Sequence, residues 1–73
     1  LSFGDRLQDA IVDVLSALEY EPELGHELRG RLKGLRSIRV GAYRIIYELR
    51  ERGRLVRVCA IRHRGEAYKT DPR

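Results

Sequence analysis

Over the first twenty positions the apolar residues recur at Leu7, Ala10, Ile11, Val14, Leu15 and Leu18, the i, i+3, i+4, i+7 series that lines one side of a helix. The spacing predicts an amphipathic helix from about residue 4 to residue 19, with Asp9, Asp13 and Glu19 outward. Ser2, with Asp5 three positions on, is its expected N-terminal cap. Pro22 stops that period, and Glu23 to Leu32 is expected to add no more than a short helical turn before Gly30 and Gly34 loosen the backbone. The chain then becomes rich in β-branched and aromatic residues at Ser37–Val40, Tyr43–Leu49 and Leu55–His63, separated by Gly41-Ala42 and by Arg50–Gly53. The expected architecture is α+β: an N-terminal helix packed on a three-stranded antiparallel β-meander, forming a single domain over residues 1–73. Thr70–Arg73 reads as a loose tail.

Register carries the first hint of chemistry. A two-residue loop at Gly41-Ala42 sets Val40 opposite Tyr43, Arg39 opposite Arg44 and Ile38 opposite Ile45. Ile38, Val40, Tyr43, Ile45, Tyr47 and Leu49 then share the face that the helix stripe covers. On the reverse face Arg39 and Arg44 stand directly across from each other. Like charges so placed cost stability unless an anion lies between them or the side chains splay into water. The third strand alternates without a clear apolar face, because Leu55, Arg57, Cys59 and Ile61 interleave with Val56, Val58, Ala60 and Arg62. Its register stays open at this point.

Composition narrows the class. Seventy-three residues hold one core at most, and a chain that is 42% hydrophobic and 36% charged is too apolar for disorder and too interrupted for a membrane span. A lone cysteine, Cys59, forms no internal disulfide, and with no leader-like segment the chain reads as cytoplasmic. Its first residue is Leu, so the true start is expected to lie upstream. Charge is divided: residues 1–28 carry seven acids against one base, a balance of −6, and residues 29–73 carry fourteen bases against four acids, a balance of +10. Thirteen of the fifteen cations are Arg, whose planar fork suits bidentate phosphate contact. The basic portion is where a polyanion would bind, although a solvated arginine-rich surface gives the same composition.

Three stretches follow in order: Leu28-x-Gly30-x-Leu32-x-Gly34-Leu35, then Ser37-Ile38-Arg39-Val40-Gly41-Ala42-Tyr43-Arg44-Ile45-Ile46-Tyr47-Glu48, then Ala60-Ile61-Arg62-His63-Arg64-Gly65-Glu66-Ala67-Tyr68. Together they resemble the RelE/ParE toxin superfamily across about residues 5 to 69. The resemblance implies a microbial-RNase-like sheet, usually preceded by an N-terminal strand and a first helix that do not occur in these 73 residues. For the RelE branch it implies the toxin of a type II toxin–antitoxin system, a ribosome-dependent endoribonuclease that cuts messenger RNA in the aminoacyl site. Such a toxin is silenced by a cognate antitoxin. ParE relatives share the fold and poison DNA gyrase. By position, the resemblance carries over a basic residue to Arg39, the arginine of the Tyr-Arg pair to Arg44, the arginine after the histidine to Arg64, and the C-terminal tyrosine to Tyr68. Ser37 stands where some relatives carry a lysine.

The chemistry is arguable from the residues as well. Cleaving RNA through its 2′-hydroxyl needs removal of that proton, stabilisation of a phosphorane and protonation of the leaving 5′-oxygen, none of which requires a metal or another cofactor. Arg44 and Arg64 are the candidates for charge stabilisation, and Arg36, Arg39, Arg62 and Lys69 for holding RNA phosphates. Tyr68 is the candidate general base or acid, favoured toward phenolate by neighbouring guanidiniums. His63 stands in reserve, because strand alternation turns it away from Arg64. Tyr43 and Tyr47 read as core aromatics, His26 as a loop residue and Cys59 as a small strand residue. Arg64 and Glu66 could simply form a surface ion pair. Two histidines and one cysteine at these spacings make no zinc site. The expected partners are an acidic antitoxin, the translating ribosome and messenger RNA, with no membrane and no small-molecule cofactor. The alternatives are a ParE-like gyrase inhibitor and a basic nucleic-acid-binding module that catalyses nothing.

Overall fold

A computed structural model describes residues 5–73, so the Ser2 cap lies outside the described residues. Helix α1 runs over Asp5–Tyr20, with Asp5 in its first turn where a negative charge complements the helix dipole. Glu21 and then Pro22 follow. Four strands come after it: β1 (His26–Glu27), β2 (Leu35–Val40), β3 (Tyr43–Arg50) and β4 (Leu55–His63), with a short 3₁₀ turn at Gly30–Leu32 between β1 and β2. They form one antiparallel sheet in the order β1-β2-β3-β4. The fold is thus the expected helix on an antiparallel sheet, with β1 as a two-residue addition to the three strands of the meander. That strand escapes a reading of pattern because two polar residues, His26 and Glu27, carry no alternation. Their pairing with Ser37 and Arg36 comes from the chain doubling back after Gly25.

The hairpin register is the predicted one: Val40 pairs with Tyr43, Arg39 with Arg44 and Ile38 with Ile45. Gly41, the first loop residue, has φ +60°, the arrangement of a II′ turn with glycine leading. The ambiguity of β4 resolves as a β-bulge. Ile46 pairs with Ala60 but Tyr47 pairs with Val58, so Cys59 is supernumerary. One extra residue shifts the alternation, and Val56 and Ile61 reach the same side although their spacing is odd.

Two apolar clusters result, one on each side of the sheet. On the helix side, Ile11 and Leu18 close over Val40, Ile45 and Tyr47, with Leu7, Val14, Leu15, Ile38, Leu49, Val56 and Ile61 packed around them. On the other side Leu32, Leu35, Ile46 and Ala67 are buried, joined by Leu28 and Cys59. This second cluster is covered by the 28–34 segment and by residues 64–73. The tail is therefore not loose: Arg73 donates from its guanidinium to the carbonyl oxygens of Lys33 and Arg31, both at 3.0 Å.

The loop from α1 to β1 is fixed from below by the fully buried Tyr47. Its hydroxyl donates to the Pro22 carbonyl at 2.8 Å and accepts from the Gly25 amide at 2.8 Å. A β-carbon at Gly25 would stand 2.7 Å from that hydroxyl oxygen, so this close approach requires glycine.

Candidate functional site

Alternation along β2, β3 and β4 places Arg39, Arg44 and Arg62 in one cross-strand row on the side of the sheet away from α1, Arg39 facing Arg44 and Arg44 facing Arg62. Three adjacent guanidiniums repel one another, and the structure disposes of the two outer ones locally. Arg39 donates through Nε to the Gly41 carbonyl at 3.1 Å. Arg62 donates to the carbonyls of Thr70 at 2.8 Å and Ala67 at 3.3 Å, tying the chain after β4 back over the sheet. Arg44, in the middle, is treated differently. Its guanidinium carbon lies 5.6 Å from the centroid of the Tyr68 ring, within cation–π range.

Tyr68 arrives there by way of the turns after β4. The Arg64 amide donates to the Ala42 carbonyl at 2.8 Å, fixing the first of these turns to the β2–β3 loop, and the Glu66 amide donates to the His63 carbonyl at 2.8 Å. Ala67 is buried, which sets the next side chain on the sheet surface. The Tyr68 hydroxyl then donates to Ser37 Oγ at 2.9 Å. Ser37 is 1% exposed, whereas Tyr68 stays 37% exposed. From the 3₁₀ turn, Arg31 donates to the backbone carbonyls of Tyr68 and Lys69, each at 3.4 Å.

The predicted residues divide between the two sides. Arg39, Arg44, Arg62 and Tyr68 occupy the side away from α1. Arg36 does not: it pairs with Tyr47 on the helix side and donates to the Gly25 carbonyl at 3.0 Å and the Glu23 carbonyl at 3.4 Å. His63 also lies on the helix side, opposite Tyr43, whose ring it meets edge-on at 5.5 Å between centroids. Its Nδ1 accepts from the Gly65 amide at 3.3 Å. Arg64 is exposed at the head of the turn that carries Tyr68, and Glu66 pairs with Lys69 at 3.2 Å, not with Arg64. Ser37, Arg31 and Arg73 were not read as structural partners of this surface. The signal for Ser37 was present in the alternation, which puts it on the Leu35 side of β2 opposite Ile46, where a buried hydroxyl needs a partner.

Carboxylates at the margins hold further cations. Glu48 bonds Arg57 at 2.9 Å and Arg50 at 3.1 Å, and these guanidiniums, Arg57 foremost, hold its carboxyl below the ordinary range against a smaller opposing effect of burial. Asp71 is likewise held low by hydrogen bonds from Arg73. Burial, the largest influence, pushes the Cys59 thiol up, away from the thiolate of a reactive cysteine. Among the described residues no group of three or more His, Cys, Asp or Glu side chains could hold a metal ion, and no helix is long and apolar enough to cross a membrane. A surface hollow of about 600 Å³ lies between the loop after α1 and the β3–β4 turn, lined by Pro22, Leu24, Leu49 and Arg52 among others. None of the arginine-row residues borders it.

One helix on an antiparallel sheet is the fold that the resemblance of the hairpin and the His-Arg-Gly-Glu-Ala-Tyr stretch implies. Residues 2–68 match the family model described as ParE toxin of type II toxin–antitoxin system, parDE, and the chain belongs to that family. No curated protein and no solved structure matches the chain. Membership makes the protein the toxin of a type II toxin–antitoxin pair and implies an antitoxin as its partner.

Proposed function

We propose that this toxin is a ribosome-dependent, metal-independent endoribonuclease that cuts messenger RNA by attack of a 2′-hydroxyl on the adjoining phosphorus. The observation that carries the reading is the contact between Arg44 and Tyr68 on the side of the sheet that α1 leaves uncovered. A guanidinium 5.6 Å from a phenol ring centroid puts charge stabilisation and a proton-handling oxygen within reach of one phosphodiester. In the reaction the O2′–P bond forms as the 2′-proton leaves, the P–O5′ bond breaks, and the departing oxygen takes up a proton. Arg44 would stabilise the extra charge on the phosphorane, Tyr68 would handle one of the two protons, and Arg64 at the head of the turn would add a second positive charge.

The histidine lies on the far side of the sheet, so Tyr68 is the acid–base group of this reading. With Arg39 and Arg62 bonded to carbonyls, this surface grips RNA weakly by itself. That accords with a ribosome that presents the messenger in an oriented form. A second reading, poisoning of DNA gyrase, is favoured by the match to the ParE toxin model. The two separate in one experiment that supplies translating ribosomes to one reaction and gyrase with plasmid to another. The ribonuclease reading expects messenger cuts that disappear in Tyr68→Phe and Arg44→Ala. Gyrase-dependent DNA breaks with intact messenger would establish the other.

A further inference from the structure

Ser37 is buried on the side of β2 away from α1, opposite Ile46. Its hydroxyl bonds that of Tyr68, thirty-one residues along the chain, at 2.9 Å. The bond joins a buried hydroxyl to one at the open surface beside Arg44. Two contacts at different points of the side chain, one at the hydroxyl and one at the ring face, hold a phenol that is otherwise 37% exposed.

We propose that Ser37 is a positioning residue for Tyr68: its buried hydroxyl, bonded to the phenol oxygen, fixes where that oxygen lies on the open surface beside Arg44. This rests on the ribonuclease reading and deepens it, because a proton-handling oxygen works only where it is held against the reacting atoms. Ser37 touches no substrate in this scheme and acts only through Tyr68.

A double-mutant cycle tests it, with cleavage of messenger on translating ribosomes as one readout and ring resonances of ¹³C-labelled tyrosine as the other. Ser37→Ala is expected to lower the cleavage rate at saturating ribosomes by roughly tenfold to a hundredfold, the scale of a misplaced reacting group, with ribosome affinity within about twofold of the parent. In a Tyr68→Phe background the same change is expected to do nothing further. Ser37→Thr, which keeps the hydroxyl, is expected to restore most of the rate. The Tyr68 ring resonance is expected to move in Ser37→Ala and return in Ser37→Thr. Additive losses in the cycle, or a Tyr68 resonance indifferent to Ser37→Ala, overturn the proposal. A parent protein that cuts no messenger overturns the ribonuclease reading, and the resonances then report separately whether the serine holds the phenol.

Discussion

The two sides of the sheet are built on different terms. The side under α1 is closed by a helix stripe against strand residues, and the Tyr47 hydroxyl and the Arg36 guanidinium on it both bond the loop after α1. The other side has a small apolar centre of four buried residues, surrounded by arginines that bond backbone carbonyls of the covering segments. One cover is hydrophobic and regular; the other is irregular chain held by cations. This teaches how to read a basic surface. Arg31, Arg62 and Arg73 look like polyanion ligands in the sequence, yet they donate to Tyr68, Lys69, Thr70, Lys33 and neighbouring carbonyls. The cations left to meet a partner are fewer than the charge count suggests, and Arg44 stands among them on the ring of Tyr68.

The most severe way to break this comparison is to delete Cys59. Without the bulge, Val56 and Ile61 can no longer both face α1, and one half of β4 must present its polar residues to the helix. Thermal melting followed by circular dichroism is expected to lose its cooperative transition. Next in size are Ile45→Ala and Ile46→Ala, adjacent residues buried on opposite sides. Each is expected to cost about 2–5 kcal/mol in denaturant titration. A negligible cost at Ile46 would mean that the cation-held side has no true core.

The two anchored phenols give a smaller contrast. Tyr47→Phe leaves the Gly25 amide and the Pro22 carbonyl without their buried partner and is expected to cost about 1–3 kcal/mol. Tyr68→Phe, at a half-exposed site, is expected to cost about 0.5–1.5 kcal/mol while abolishing toxin action. Acidification is the mildest test. Glu48 and Asp71 both have folded-state values below those of the unfolded chain, so their contribution is complete above the ordinary carboxyl range of about pH 4 and fades as pH falls through the lowered values. Amide protection, taken relative to the intrinsic exchange rate at each pH, is expected to fall first in the segment after β4, with α1 unaffected until further acidification.

How much of this was legible depended on periodicity. The α1 stripe and the β2–β3 register were readable because each has a clean period and the Gly41-Ala42 loop fixes the pairing. β4 was not, because a bulge leaves no mark in a string of residues beyond the broken alternation around Cys59. β1 is too short to show a pattern. At the candidate site, the sequence placed Arg39 against Arg44 and turned His63 away, both by alternation alone. It could not distinguish Arg36 and Arg62, which bond carbonyls, from an arginine left on an aromatic ring, since that depends on where irregular chain comes to rest. The tail from Thr70 to Arg73 looks loose in the sequence for the same reason: it is anchored by the Arg73 side chain, which bonds Lys33 and Arg31, forty residues or more away along the chain.

The supernumerary residue of β4 has a practical use. Cys59 carries the molecule's single sulfur, half-covered and with its thiol proton held more firmly than usual, at the spot where the outermost strand is irregular. A slow alkylating reagent should therefore act as a clock on the detachment of that strand: its rate records fraying of the sheet margin without an added label. A ligand that seats on the same margin would be detected as a slowing of the clock.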